Sequence, residues 1–532
     1  MNIKAINNTR NLWATIILAA LFFILTITVL KQANPGTELP NRDSGFYIYI
    51  GKQILKGNLP YQTAWDSKPP AIFYLNAFAI GLGRGLRWGV WLVQFAFLFS
   101  AITASYILMK KLWGIAPALF GVFVWVWGMN ATLQGGNYTE EYPLVFHFLA
   151  LILLLYLLQN PKQRLLNLTL GLLFSMSFLF RSNNAIVEMV TIVVFGVTLL
   201  WRRDLSAFFT AVIWVTLGIA IPLIITSAYF AYHGLFQAML EASIFYNFAY
   251  SAAKMSATSP LEVGFTYLTF AAWLGLIGYV LVVIRWKETL KGTYAPLFVI
   301  LLVGAPAAVF LSDLAKRNYG HYFMNWLPFI ALLSAYVLKT TIEKFPLKKE
   351  QQSFTDAQTN FLPITSLVIA CGIFIANGHA SVYMKAVDRF FTSADRELRS
   401  PIAVYVDNHT NPGEYVLFWA TNPGEYFMAR RNAPNAALFY PYLVGSEVAD
   451  QLNEDYLEGI IRNKPVLIVD LGRLSVPSLD PAKREEQKKI GVYPADPQKN
   501  LDEVLKFIEE NYYLEAVVKE KEVYRLNGSK AP

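Results

Sequence analysis

The sequence predicts an all-α polytopic membrane bundle followed by a smaller extracytoplasmic α/β domain. Three observations lead there. Apolar runs long enough to span a bilayer recur between residues 12 and 376. The chain is 55% hydrophobic and 15% charged, with a mean hydropathy of +0.38, against ~45–50% and ~25% in soluble domains. After Asn377 the long runs stop, and short strand-like and helix-like patterns replace them.

The runs lie at Leu12–Leu30, Trp88–Met109, Gly114–Leu133, Tyr142–Leu158, Leu165–Phe180, Ala185–Leu200, Phe208–Tyr232, Val263–Ile284, Tyr294–Leu311, Tyr322–Leu338 and Phe361–Ala376. They make about eleven transmembrane helices. The first lacks a small-residue cleavage site and is too long for a signal-peptide core, so it reads as a retained anchor. Basic residues fall on every second loop: Lys110 and Lys111; Lys162 and Arg164; Arg202 and Arg203; Arg285, Lys287 and Lys291; Lys339, Lys344, Lys348 and Lys349. These loops, with Lys4 and Arg10, are expected on the cytoplasmic side. An odd number of spans then leaves residues 377–532 outside, and the protein is expected in the plasma or inner membrane. The same distribution accounts for the net charge of +8, which needs no nucleic-acid partner. The single cysteine, Cys371, excludes an intrachain disulfide.

The opposite loops carry the unusual polar residues. They are Asn41–Pro70, Gly135–Glu141, Arg181–Asn184, His233–Val263 and Asp313–His321. Ala71–Arg87, after the first of them, is amphipathic enough to lie along the interface. In the soluble part, Tyr415–Ala420 and Val466–Asp470 read as buried strands, and Val448–Arg462 and Leu501–Glu510 as helices. Leu514–Lys519 and Glu522–Leu526 suggest a hairpin. The expected division is therefore a membrane domain, 1–376, whose first outer loop occupies 31–87, and a soluble domain, 377–532.

Asp43 and Lys68 bracket that first loop, 25 positions apart. A carboxylate at a membrane boundary can take the proton of an acceptor hydroxyl, which is a poor nucleophile until that proton leaves. Taken alone, Asp43 would more often be a solvated loop carboxylate. Lys68 precedes Pro69 and Pro70, whose rings fix the backbone. An ammonium held there suits a phosphate oxygen, although any lysine at a membrane edge can also snorkel.

The order Asp43-Ser44-Gly45-Phe46-Tyr47, Ile54-Leu55-Lys56-Gly57, Pro60-Tyr61 and Trp65-Asp66-Ser67-Lys68-Pro69-Pro70 resembles the first outer loop of protein O-mannosyltransferase-like glycosyltransferases. That group has the GT-C fold and includes the aminoarabinose transferase of lipid A. The resemblance runs over about Leu12 to Ala376. It implies a catalytic base at Asp43, a donor-phosphate contact at Lys68, and a second acid where the helix after Gly135-Gly136-Asn137-Tyr138-Thr139 opens. Glu140 is preferred to Glu141 for that acid, while Thr139 as an N-cap with two acids in the first turn is the plainer reading. Arg317-Asn318-Tyr319-Gly320-His321-Tyr322 resembles a late outer-loop motif. Arg317, Tyr319, His321 and Tyr322 are thereby expected in the donor pocket, with Tyr47 and Tyr61 of the first loop. One departure counts against lipid A as acceptor: Phe46 and Tyr47 stand where aminoarabinose transferases carry an arginine.

Arg181 breaks the charge pattern, being basic at the outer end of a helix. Charge at that depth is costly and usually has a task, here a second cation on the donor phosphate or, more plainly, a carboxylate partner. Five scattered histidines show no paired ligand spacing, so neither metal nor cofactor is expected. The expected activity is an inverting transfer of a sugar from a polyprenyl-phosphate donor to a hydroxyl of a glycan, lipid or protein acceptor, outside the cytoplasm. A transporter or flippase of lipid-linked or polar substrates is the alternative, but it would want charges at the bilayer centre and an inverted repeat. A surface binding protein is a third reading, against which the polar loops argue.

Overall fold

The computed structural model describes residues 3–252, 259–314, 317–344, 355–420, 422–442, 446–474, 476–494, 498 and 500–531. The expected inner-loop residues Lys348 and Lys349 lie outside this set. In chain order the helices begin with α1 (Ile3–Leu30), α2 (Arg42–Leu55), α3 (Ala71–Leu82), α4 (Trp88–Trp113), α5 (Ile115–Thr132) and α6 (Pro143–Leu157). They continue with α7 (Arg164–Phe180), α8 (Ile186–Trp201), α9 (Leu205–Tyr232) and the short α10 (Phe236–Leu240) and α11 (Tyr246–Ala252). Next come α12 (Pro260–Leu268), α13 (Phe270–Ile284), α14 (Trp286–Thr289), α15 (Ala295–Leu314), α16 (Leu327–Lys344), α17 (Thr355–Ala376) and α18 (His379–Thr392).

Among the described residues, seven helices are long and apolar enough to cross a membrane. Two further pairs bend sharply, α12–α13 by 113° and α17–α18 by 67°, and bring the total to nine if each pair is one span. The remaining two of the expected eleven are α6 and α7, with 15 and 17 residues. Their rise of roughly 23 and 26 Å falls short of a hydrocarbon core ~30 Å thick.

The chain forms two compact units. The first comprises Met1–Asn34, Trp91–Tyr229 and Lys254–Val387. Its centre is α16, packed between α5 and α13. Glycines permit the approach: a Cβ on Gly121 would lie 2.7 Å from the Ala331 carbonyl oxygen, and one on Gly278 would lie 2.4 Å from that of Leu333. Small residues at such crossings let backbones meet where hydrophobic association drives little.

The second unit comprises Pro35–Val90, Phe230–Ala253 and Asp388–Pro532. The first outer segment thus belongs to the same body as the C-terminal domain. Much of Asn41–Pro70, expected as a loop, is the helix α2. Asn41 caps it, its side chain accepting the Ser44 N–H at 2.8 Å, and Asp43 sits in the first turn, where the helix dipole favours an acid. Phe46, Tyr47 and Ile50 then recur at helical spacing and are buried. Gly51 lets α2 lie close on α3, where a Cβ would meet the Ala77 nitrogen at 2.8 Å.

The C-terminal part continues with α19 (Pro401–Asn408), β1 (Val416–Trp419), α20 (Gly424–Met428), α21 (Glu447–Asn463), β2 (Leu467–Asp470), α22 (Pro481–Lys489), α23 (Leu501–Asn511), β3 (Tyr512–Val518) and β4 (Lys521–Leu526). The sheet order is β1-β2-β4-β3. Strands β1 and β2 run parallel, Val416 opposite Leu467, while β4 pairs antiparallel with both β2 and β3. Both strands expected as buried are fully so. The α/β expectation and its hairpin are met.

Candidate active site

In the second unit, Asp43 is paired with its neighbour Arg42, Nε to Oδ1 at 3.2 Å. Lys68 is held from several directions. Its backbone N–H donates to Asp66 Oδ1 at 3.0 Å, its Nζ stands 3.8 Å from the same oxygen, and its carbonyl accepts the Tyr61 hydroxyl at 2.7 Å. Asn247 donates to the Ser67 carbonyl at 2.8 Å, and Trp65 is wedged edge-on between Tyr246 and Tyr442. Pro69 and Pro70 keep α3 from starting before Ala71. The lysine therefore sits on a rigid turn. Tyr47 and Tyr61, expected to line a donor pocket, are buried against Phe73, and Tyr61 reaches Lys68 only through the backbone.

Asp66 is the residue that sequence reasoning passed over. Burial pushes its carboxyl above the usual range; Lys68 draws it down, and Asp43 is near enough to push it up again. Two carboxylates and a lysine thus share one electrostatic neighbourhood. The signal was available, since Asp66 stands two positions before Lys68 inside the quoted motif.

In the first unit, five expected residues come together. The Arg181 guanidinium is bonded to Glu140 and lies over the Tyr322 ring, 4.2 Å from its centroid. His321 stacks on Tyr138 at 4.1 Å and meets Tyr322 edge-on at 4.7 Å, and Tyr319 lies parallel to His321 at 5.7 Å. Arg317 is buried beside this motif in the chain. Burial alone would raise the Glu140 carboxyl, but Arg181, His321 and the Thr139 hydroxyl outweigh it and hold it below its ordinary value. Glu140 is therefore an ionised partner for Arg181.

Glu141 is a different group. It accepts the Asn137 N–H at 2.7 Å through Oε2, its Oε1 has no hydrogen bond, and burial pushes it up to about 8. Thr139 is not the N-cap of α6: the helix starts at Pro143, whose ring needs no donor partner, and the Thr139 hydroxyl donates to Glu140 at 2.9 Å. Asn184 donates to the Thr139 carbonyl at 2.8 Å and accepts from Asn325 at 3.2 Å. Deeper in the bundle, His147 of α6, Glu188 of α8 and Ser177 of α7 meet at Glu188 Oε1, at 2.9 and 2.8 Å. The Ser177 carbonyl also accepts the Arg181 N–H at 3.2 Å. This buried knot ties together α6, α7 and α8, at whose ends Glu140 and Arg181 lie. Residues so far apart in sequence offered no local signal of it.

Among the described residues, no three His, Cys, Asp or Glu side chains gather as a metal site. Each unit by itself offers carboxylates for proton transfer and a cation for a phosphate.

Comparison with known proteins adds three findings. The family described as "Putative competence-induced protein Ccs4 N-terminal domain" matches residues 7–368. No curated protein matches the sequence. Among solved structures, ArnT from Cupriavidus metallidurans bound to undecaprenyl phosphate superposes with a TM-score of 0.58 at 14% identity, over 96% of this chain and 98% of that one. The apo state of the same protein gives 0.56 at 14% identity, over 97% and 98%. The GT-C fold implied by the first-loop motif is accordingly the fold of this chain.

Proposed function

The chain belongs to the Ccs4 N-terminal domain family, and we propose that this integral membrane protein is a glycosyltransferase that uses a polyprenyl-phosphate sugar. The observation that carries the reading is the neighbourhood of Asp43, Asp66 and Lys68 in the first outer segment, on a fold shared with a protein solved with undecaprenyl phosphate.

Asp43 accepts the proton of the acceptor hydroxyl as its oxygen attacks the anomeric carbon. A new C–O bond forms on the face opposite the phosphate, the bond from the anomeric carbon to the phosphate oxygen breaks, and polyprenyl phosphate leaves with the electron pair. Configuration inverts through an oxocarbenium-like state. Lys68 meets the charge that grows on the departing phosphate, and its rigid turn means little reorganisation is needed then. Asp66 orients Lys68. Arg181, its charge shared with Glu140 and Tyr322, is a further candidate for a phosphate contact and is tested by its own variant.

Asp43→Asn keeps size and most hydrogen bonding but cannot take the proton. Single-turnover transfer should fall ~10²–10⁴-fold, with lipid-donor affinity retained on the same purified variant. Near-normal transfer would remove Asp43 from the mechanism. Loss of donor binding and of folding together would make it structural.

The reading also puts residues 377–532 outside the cytoplasm, supported by the basic loops. Single cysteines placed there in a Cys371→Ser background should react with a membrane-impermeant thiol reagent on intact cells. Protection of all of them until lysis would overturn the orientation.

A further inference from the structure

At the other end of α2 from Asp43, the second unit gathers a cluster of charges that the transfer chemistry does not use. Arg399 bonds to Asp395 at 2.9 Å and to Asp407 at 2.7 Å, and buried Arg431 bonds to Asp407 at 2.8 Å and to the Thr410 hydroxyl at 2.7 Å. These two arginines already balance the two carboxylates. Glu397, which also feels Arg430 and Arg399, is paired with Arg87. Arg430, Lys52 and Lys56 are left in excess, so five cations face two acids.

The excess cations share one neighbourhood, Lys56 and Arg430 both being near enough to act on Lys52. Arg430 is about half exposed while touching Asp395 and Asp407 at 2.8 and 3.3 Å. Its backbone, at φ 59°, closes the end of α20, where the Arg430 and Arg431 N–H groups donate back to the Phe427 and Tyr426 carbonyls, so its position is fixed. Lys56 donates to Asn432 Oδ1 at 2.7 Å, and Gln53 donates to the same oxygen at 3.1 Å. That oxygen is saturated, and the Asn432 amide nitrogen remains as a donor. Lys52 is half-buried with its ammonium 5.3 Å from the Phe427 ring centroid, and it pairs with no carboxylate among the described residues. Burial first, then Lys56, Arg430 and, more weakly, Arg431 lower its pKa to about 8 against an opposing pull from Asp407. A half-buried lysine amid like charges is unfavourable by itself. An anion would relieve it.

We propose that Lys52, Lys56 and Arg430 form a binding site for a phosphate group, separate from the donor contact assigned to Lys68. Two compact ammonium groups and a guanidinium fork can meet three oxygens at once, which suits phosphate better than a single carboxylate. The group belongs either to a lipid headgroup or to a soluble phosphorylated molecule. The proposal does not depend on the glycosyltransferase reading.

The test uses the purified full-length Lys68→Ala chain, which lacks the donor contact assigned to Lys68, with inorganic phosphate as probe and ³¹P line broadening as readout. Phosphate held at Arg181 would be told apart because changes at Lys52 and Arg430 would leave it unaltered. Phosphate should bind in discs of phosphatidylcholine. Adding Lys52→Met or Arg430→Gln should weaken it by about tenfold or more, whereas Lys52→Arg should preserve it. Arg430 is surface-exposed, so its variant separates lost binding from lost folding. Competition by phosphatidylglycerol discs in the Lys68→Ala chain, absent in its Lys52→Met form, identifies a headgroup. Phosphate binding without such competition identifies a soluble ligand. No binding to the Lys68→Ala chain, or binding unchanged by both Lys52→Met and Arg430→Gln, overturns the site.

Discussion

A side-chain carbon placed on Gly45 would stand 2.6 Å from the Gly424 amide nitrogen and 2.9 Å from its Cα. Gly424 in turn lies against Pro40, 3.1 Å from where its own Cβ would be. The first turns of α2, which carry Asp43, are therefore seated on α20 of the C-terminal domain, backbone to backbone. An alanine at position 45 would gain about 1 kcal/mol of helix propensity over glycine. Overpacking typically costs ~1–3 kcal/mol, and here the obstructing atoms are backbone and cannot swing aside. Gly45→Ala should thus lower the thermal unfolding midpoint and reduce transfer, by displacing Asp43. A raised midpoint with full transfer would show that the contact is slack.

Lys68→Ala and Arg181→Ala should both weaken donor use, but not alike. A charge-assisted bond to one phosphate is worth ~1.5–3 kcal/mol, so Lys68→Ala should lose roughly tenfold to hundredfold in donor affinity with stability intact. Arg181→Ala also strands the buried Glu140 carboxylate, a loss of about 3–5 kcal/mol when one member of such a pair is removed. Adding Glu140→Gln should recover that stability without recovering donor affinity. Donor titrations and thermal melts on the four proteins decide it, and unchanged donor affinity in both single variants would reduce the two cations to structural ones.

Glu141 makes stability depend on pH. Burial raises its carboxyl from an ordinary 4.5 to about 8, so the folded chain holds the proton more tightly than the unfolded one. The resulting stabilisation is complete below about 4.5 and is lost as pH rises through about 8. Glu141→Gln fixes the neutral form. The variant should melt higher than the parent at pH 8.5, and the fall between pH 5 and 8.5 should shrink. A parent-like fall in the variant would move the cause elsewhere. Transfer should survive the substitution if Glu140, and not Glu141, is the acid that matters.

Local pattern was enough for the membrane bundle, the two buried strands, the hairpin and the kinds of residue that could act. Those features depend on the length and period of apolar runs, which neighbours in sequence set. Arg181 stood out because charge at that depth is costly, whereas Asp43, Lys68 and Glu140 stood out through the resemblance of the motifs around them, since a loop carboxylate or an interfacial lysine is otherwise ordinary. What the residues touch was not legible. Glu140 meets Arg181 across 41 positions, and Glu188 gathers His147 and Ser177 from two other helices. Even the helix α2 was hidden, because Gly45, Gly51 and Gly57 read as loop residues when their neighbours are unknown. Two of those glycines are where α3 and α20 come closest. Glycine weakens an isolated helix, so only the tertiary packing that needs the missing side chains could make it one.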